Sequence, residues 1–373
     1  MKDEVTLTRT LLSIDTTNPP GNETECAHTV GAALEAEGLQ VTYSELAPGR
    51  SSLIATLDGG NRRPPLCFTG HLDTVRLGDA PWRHSPFEGE VDGDKLFGRG
   101  ASDMKSGVAA MVYAAKRLAQ TPNRSSSLVL IFTAGEETCC QGALDLTKSG
   151  VLPDSVGAIV VGEPTTNIPL IGHKGVVRFL IRTRGRAAHA AMPELGDNAI
   201  HKISEVVAAL KGYTPSISPH PLLGPCTLNI GTISGGANIN SVPDLAQIGI
   251  DIRILPGQDR DSLSQEISSL LDDDVEIEFL EEAASIMTDE KNTWLQEVLE
   301  IASTYLKTSP SVETAPFFTD ASVLTPHFNN PPTVILGPGE PTAMHKTDEY
   351  CSTSKIEEAV YAYSEIAAKW CVS

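Results

Sequence analysis

The sequence predicts an α/β protein: a discontinuous, mostly parallel-sheet domain that carries an inserted α+β domain. Three observations predict it. Several short apolar runs lack polar alternation, as expected of strands buried on both faces of a parallel sheet. Helical patterns alternate with those runs. Between about Lys174 and Glu282 the pattern changes to the order βαββαβ, which implies a small antiparallel sheet with two helices on one face. A chain of 373 residues is long enough for roughly two domains. We place the first at 1–173 and 285–373 and the insert at 174–284.

Each element has a local reason. Thr24 to Glu37 repeats Ala27, Val30 and Leu34 on one helical face, and Gly38 stops it. Ser51 to Leu57 and Leu66 to Thr69 read as strands, the second running into Gly70-His71-Leu72-Asp73. Gly78 to Gly100 is polar and rich in Pro and Gly, and reads as a loop. Ser106 to Gln120 is a helix with Val108, Met111, Val112, Ala115 and Leu118 inward. Apolar strands follow at Ser127 to Phe132, Ala158 to Val161 and Thr333 to Leu336. A last helix spans Ser354 to Trp370. In the insert, Val176 to Arg184, Cys226 to Ser234, Leu245 to Leu255 and Val275 to Leu280 read as strands, with helices at Asp197 to Lys211 and Asp261 to Leu271.

Composition narrows the partners. A formal net charge of −20 disfavours nucleic-acid phosphates and anionic membranes. No apolar run is long enough to span a bilayer, and Met1 to Glu4 lacks the apolar core of a signal peptide. Seven cysteines (Cys26, Cys67, Cys139, Cys140, Cys226, Cys351 and Cys371) form neither an even framework nor a CxxC pair. Reduced thiols in a cytoplasmic protein are the expectation.

In an open α/β sheet, ligands bind beyond the carboxyl ends of the strands. Here those ends and the adjacent loops carry His71, Asp103, Glu137, Glu163 and His345. Two imidazoles and three carboxylates suit zinc, or less selectively cobalt or manganese. If Asp103 bridges, one metal takes His71, Asp103 and Glu163, and the other Glu137, Asp103 and His345. Paired metals about 3.5–4 Å apart activate water and polarise a carbonyl. Asp73 lies two residues after His71 and is placed to accept the proton on its other ring nitrogen. Glu136 precedes a proposed ligand, so it can sit by the activated water as a general base without ligating. Taken singly, an HxD tripeptide, a Glu-Glu pair, a GEP turn or a lone histidine is common and structural. The set is harder to explain as accident, because unpaired buried carboxylates are costly.

The stretches GHLDTV at 70–75, GRGASDMKSG at 98–107, GEE at 135–137, GEPT at 162–165 and AMHKTDEY at 343–350 carry a resemblance. The sequence resembles the dinuclear zinc family of acetylornithine deacetylase, succinyl-diaminopimelate desuccinylase, aminoacylase and glutamate carboxypeptidase. The order and separation of the motifs match, over essentially the whole chain. The resemblance implies that Asp103 bridges two Zn²⁺, that Glu136 is the base, and that the insert is a lid that mediates a homodimer. It also implies that His189 reaches the partner subunit's site to stabilise an oxyanion, and that Asn240 and Arg253 hold a substrate carboxylate, for which a guanidinium fork is suited. The plainer alternatives are a loop histidine, a turn asparagine and a rim ion pair. Gly339, in Gly337-Pro338-Gly339, offers backbone N–H groups to substrate or merely serves the turn. Gly172-His173-Lys174-Gly175 and the same Gly-Pro-Gly loop look more like the acetylornithine deacetylase branch. Thr319-Asp320-Ala321 resembles a family motif near the substrate side chain. Where relatives often have glycines after the paired glutamates, this chain has Cys139 and Cys140.

The expected activity is metal-dependent hydrolysis of the amide bond of an N-acyl amino acid. The alternatives are a di- or tripeptidase or carboxypeptidase of the same family, a catalytically silent small-molecule-binding protein on this fold, and, more distantly, a cysteine hydrolase using Cys139 or Cys140.

Overall fold

The computed structural model describes residues 2–307 and 310–372. Met1, part of the charged N-terminal stretch discussed above, lies outside them. The chain divides into two compact units. The first comprises Met1–Gly172, Ile286–Ala315 and Thr319–Ser373, and the second His173–Ser285 with Pro316–Phe318.

The first unit is built on a nine-stranded mixed sheet. Its main path runs Gln40–Ala47, Arg50–Leu57, Leu128–Thr133, Leu66–His71, Ala158–Val161, Thr333–Ile335, Leu170–His173, Ile286–Met287. The centre is parallel: Leu66–His71 pairs in parallel with both Leu128–Thr133 and Ala158–Val161, and Thr333–Ile335 with Ala158–Val161. Every residue of Leu66–His71, Leu128–Thr133 and Ala158–Val161 is buried, which is why their sequences show no alternation. The edges are antiparallel. The helices Lys105–Ala119 and Thr353–Cys371 pack on each other and on Leu66–His71. Gly107 permits that approach: a Cβ there would lie 2.2 Å from the Gly162 carbonyl oxygen. Below it, the Phe68 and Tyr363 rings sit 5.5 Å apart, and the Tyr363 hydroxyl donates to the Leu336 carbonyl.

The register of the parallel strands decides what meets at their carboxyl ends. His71 is level with Thr133, and Thr69 is level with Val161. Two residues beyond Thr69 is His71, and two beyond Val161 is Glu163. Beyond Thr133 the chain turns through Gly135 into Glu136 and Glu137. Histidine and glutamates from remote parts of the sequence therefore reach one end of one sheet.

Several elements depart from the sequence expectation. The stretch read as a loop from Gly78 to Gly100 contains strands Val91–Asp92 and Lys95–Phe97, which join Tyr350–Ser352 in a small separate sheet. Strands of two or three residues carry no periodic signal of their own. Helices at Asp3–Leu12, Gln141–Ser149, Thr293–Leu306 and Ala321–His327 and the edge strand Gln40–Ala47 were not expected at all. Thr293–Leu306 does carry an apolar face, with Trp294, Leu295, Val298 and Ala302 buried, that the sequence reading passed over, whereas Gln141–Ser149 and Ala321–His327 are too short to show more than two full helical turns.

The second unit has one four-stranded antiparallel sheet in the order Thr227–Gly235, Leu245–Ile254, Gly175–Arg184, Glu276–Ala283. Its helices are Ala199–Lys211, capped by the Asn198 side chain, and Arg260–Ser268, opened by a capping box from Asp259 and Ser262. Chain order gives the βαββαβ pattern. A two-stranded ribbon, Ala188–His189 with Ser241–Val242, is added. Among the described residues no helix is long and apolar enough to cross a membrane. The seven cysteines are all free and buried.

One cap is supplied from outside its helix. Ser352 precedes Thr353–Cys371 without capping it through its side chain. Asp94 takes the role: its carboxylate accepts the Ser354 N–H at 2.9 Å and the hydroxyls of Thr353 at 2.7 Å and Ser354 at 2.8 Å, with Ser352 also donating. Burial alone would raise the Asp94 pKa, but these donors outweigh it and bring it from 3.8 to about 2. A depressed carboxylate pKa stabilises the fold above the unfolded-state value and loses that contribution as pH falls through the folded one. Asp94→Ala is expected to lower Tm by about 2 °C at neutral pH. The gap between variant and wild type should hold above pH 4 and close towards pH 2. A pH series of thermal melts reads both, and a gap independent of pH would rule out this role of the carboxylate.

Candidate metal centre

The five candidate ligands, from strand ends and the loops beside them, converge. His71 Nε2 lies 3.0 Å from Asp103 Oδ1 and 3.7 Å from Glu163 Oε1. His345 Nε2 lies 3.1 Å from Asp103 Oδ2 and 3.3 Å from Glu137 Oε2. The two oxygens of Asp103 are thus divided, one to each histidine. Within each trio, His71–Asp103–Glu163 and Asp103–Glu137–His345, one donor atom from every side chain falls within 4.8 Å of the others. The first trio is buried, whereas His345 opens the second to the surface.

Each group reaches its place by a distinct local device. His71 ends a buried strand. Glu163 follows Gly162, whose N–H donates to the Thr69 carbonyl at 2.9 Å and continues the parallel ladder. Asp103 begins a cis peptide bond to Met104, just before helix Lys105–Ala119. His345 sits at φ 59° in the left-handed region, where a side-chain-bearing residue is held at some cost. Cys139 and Cys140 do the same at φ 63° and 56°. That conformation explains why glycine suits the turn after the paired glutamates, and it makes the two cysteines a departure in strain as well as in chemistry.

Asp73 faces the other ring nitrogen of His71, with its main chain and its carboxylate both directed at Nδ1. The nearest acceptor for His71 Nδ1 is the Asp73 backbone carbonyl at 3.0 Å, and the carboxylate stands off at 3.5 Å. The carboxylate is taken up by other donors: Asn18 Nδ2 at 2.8 Å, the Glu136 N–H at 3.0 Å and the Glu137 N–H at 3.2 Å. Asp73 therefore faces His71 with its carbonyl and, at longer range, its carboxylate, and the same carboxylate holds the glutamate turn. Asn18 was missed by the sequence reading, although the run Thr17-Asn18-Pro19-Pro20-Gly21 marks a fixed turn.

Electrostatics set the problem that the site must solve. Asp73, Asp103, Glu136, Glu163 and Asp320 are each under 10 % exposed. The nearby buried cations are occupied: Arg99 bonds Glu349 at 2.6 Å, and Lys105 Nζ donates to the carbonyls of Leu11 and Ile14. Burial pushes the Glu136 carboxyl well above the ordinary range; His71 opposes this, and Glu163 and Glu137 add to it. Burial and the Asp103 charge do the same to Glu163. For Asp103 burial is outweighed by hydrogen bonds from His345 and His71, which hold its carboxyl far below its usual value. Hydrogen bonds to Asp103 and Glu137 lift the His345 imidazole to about 10. Glu137 Oε1 is buried with no hydrogen-bond partner. An orphaned carboxylate oxygen, two imidazoles and crowded carboxylates together fit a pair of divalent cations.

Glu136 is 7 % exposed and belongs to neither trio. Behind it, Cys140 Sγ lies 4.0 Å from Glu136 Oε1. Asp320 accepts a hydrogen bond from the Thr133 hydroxyl, and burial raises its carboxyl to about 6. Gly339 stands against the Asp103 loop: a Cβ there would lie 2.2 Å from the Ser102 carbonyl oxygen. His189, Asn240 and Arg253 belong to the second unit. His189 pairs with Ser241 across the short ribbon, and the Ala190 N–H donates to the Asn240 carbonyl at 3.0 Å, so these two lie together. Arg253 Nε bonds Asp251 at 2.7 Å, on the same strand.

The sequence profile described as peptidase family M20/M25/M40 matches residues 67–369. The chain belongs to that family. M20/M25/M40 membership makes it a hydrolase of amide or peptide bonds. A probable succinyl-diaminopimelate desuccinylase from Staphylococcus epidermidis is 29 % identical over 98 % of this chain and 97 % of its own. An acetylornithine deacetylase from Aliivibrio salmonicida is 28 % identical over 98 % and 96 %. Solved M20 structures share the fold. An M20 family metallo-carboxypeptidase from Sulfolobus solfataricus superposes with TM-score 0.79 at 16 % identity, covering 99 % of each chain. A dinuclear metal-binding M20 peptidase from Bacillus subtilis gives 0.74 at 18 % identity, covering 98 % of this chain and 97 % of its own.

Crowded carboxylates should make the fold depend on cations. Chelation is expected to lower Tm, and returning Zn²⁺ at about 100 times its Kd to restore about 2.7 kcal/mol, several degrees of melting temperature. Asp103→Asn, which faces one imidazole with an amide NH₂, should lose most of that rise. A wild-type Tm indifferent to chelator and Zn²⁺ would remove the cation site.

Proposed function

We propose that this protein removes the acyl group from an N-acyl amino acid, using two zinc ions held by His71, Asp103, Glu163 and by Glu137, Asp103, His345. The observation that carries the reading is the divided Asp103 carboxylate, with Glu136 beside both trios and in neither. Two cations at these residues would polarise the substrate carbonyl and acidify a water shared between them. Glu136 takes a proton from the attacking water and delivers it to the leaving amine. Its buried setting supports this, because burial, with the Glu163 and Glu137 charges adding to it, raises the affinity of the Glu136 carboxylate for a proton and so strengthens it as a base. Asp73 holds the Glu136 and Glu137 N–H groups, so base and ligand keep a fixed relation.

The donor set favours zinc, with Co²⁺ or Mn²⁺ as functional substitutes. A deacylase agrees with the names of the relatives at 29 % and 28 % identity. In this reading Arg253 and Asn240 bind the substrate carboxylate, Gly339 lends backbone N–H groups, and His189 stabilises the oxyanion in the partner subunit's site. Homodimerisation is supported by the second unit's edge strand, Thr227–Gly235, mostly exposed with Ile233 at 65 %. An unpaired strand of that kind invites pairing with another copy. The free cysteines agree with a cytoplasmic setting.

Glu136→Gln is expected to reduce kcat by roughly 10²- to 10⁴-fold while two zinc ions stay bound. Turnover assays paired with metal analysis measure both, and an active variant would strip Glu136 of the role. Substrate class is read from a panel on zinc- and cobalt-loaded protein. N-acetyl and N-succinyl amino acids should be cleaved and their carboxamides should not. Preference for free dipeptides would make the protein a peptidase instead.

A further inference from the structure

Glu349 has no part in the chemistry above, yet it is among the most enclosed carboxylates, 1 % exposed. One of its oxygens accepts the Ser102 N–H at 2.8 Å and the Asp103 N–H at 3.0 Å. The other accepts the Gly100 N–H at 3.1 Å and Arg99 Nη1 at 2.6 Å. A carboxylate has about four acceptor sites, and here all are filled from one short loop. The tie is doubled by two bonds to main-chain carbonyls. The Gly98 N–H donates to the Glu349 carbonyl at 2.9 Å, and the Ser102 hydroxyl to the Tyr350 carbonyl at 2.7 Å.

That loop ends in Asp103, whose two oxygens must aim at two histidines. The segment that brings Glu349 also brings His345, four residues earlier. The clamp therefore fixes where Asp103 and His345 stand relative to each other without touching either donor atom. Arg99 offsets the Glu349 charge, so the clamp adds little net negative charge beside an already acidic site. We propose that Glu349 is a positioning residue for the metal pair, setting the direction of the Asp103 carboxylate and so the affinity of both metals. The inference rests on reading the two trios as a dinuclear site.

A merely structural clamp would change stability and leave metal binding alone, so the test separates the two. Metal-free wild type, Glu349→Gln, Glu349→Asp and Asp94→Ala are titrated with Co²⁺ by calorimetry, with the visible d–d absorption and Tm recorded alongside. Asp94→Ala weakens the neighbouring helix cap and serves as the stability control. Wild type is expected to take two equivalents, and Asp94→Ala to melt earlier with unchanged affinities and spectrum. Glu349→Gln places NH₂ against N–H groups. It should bind at least one Co²⁺ 10- to 100-fold more weakly, with an altered d–d spectrum. Glu349→Asp keeps the charge and should fall between the two. It decides the matter if circular dichroism shows Glu349→Gln unfolded. Wild-type affinities and spectrum in the deciding variant would overturn the positioning role and leave the dinuclear reading standing. A wild type that takes up no Co²⁺ would overturn both.

Discussion

Asp103 has one carboxylate and two imidazoles to satisfy. One oxygen lies 3.0 Å from His71 and the other 3.1 Å from His345. Nearly every nearby device serves that division. A buried carboxylate survives only where positive charge or N–H groups compensate it. The fold spends its own cations elsewhere, Arg99 on Glu349 and Lys105 on carbonyls at the end of the first helix. What remains around Asp103 is an excess of acid with two histidines. The −20 net charge of the whole chain is incidental to this; what sets the cluster apart is that its imbalance is enclosed.

The donors were legible because parallel strands align their carboxyl ends. An apolar run that stops in His or Glu announces a side chain at the ligand-binding edge, and the level pairing of His71 with Thr133 and Thr69 with Val161 turns that rule into proximity. Glu136 was legible by contrast, as the second acid at an edge where one suffices to ligate. The supporting shell was not. Asp73 was matched to His71, but its carboxylate also accepts from the N–H groups of Glu136 and Glu137, and backbone donors leave no trace in residue identity. Asn18 reaches the site over a long separation, from a Pro-rich turn that gives no hint of its partner, and the Asp320 motif gives no hint of its bond to Thr133. Glu349 stood inside a quoted motif, but the four donors that define it come from the far side of the chain.

The insert shows the same limit. Its strand and helix order follows from period and turn residues alone, and both helices are capped at their start, by Asn198 and Asp259. Individual roles do not follow. Arg253 is exposed enough to meet a ligand and close enough to Asp251 to be satisfied without one. An arginine in that position serves either purpose, and periodicity offers no criterion between them.

The cysteine turn has a consequence for handling the protein. Burial and nearby acids push the Cys140 thiol well above its normal range, so the reactive thiolate is scarce while the turn stays shut. Alkylation at this position then waits on opening of the backbone around Glu136. The labelling rate, read by mass spectrometry, reports the opening of that turn with the protein's own cysteine as the reporter.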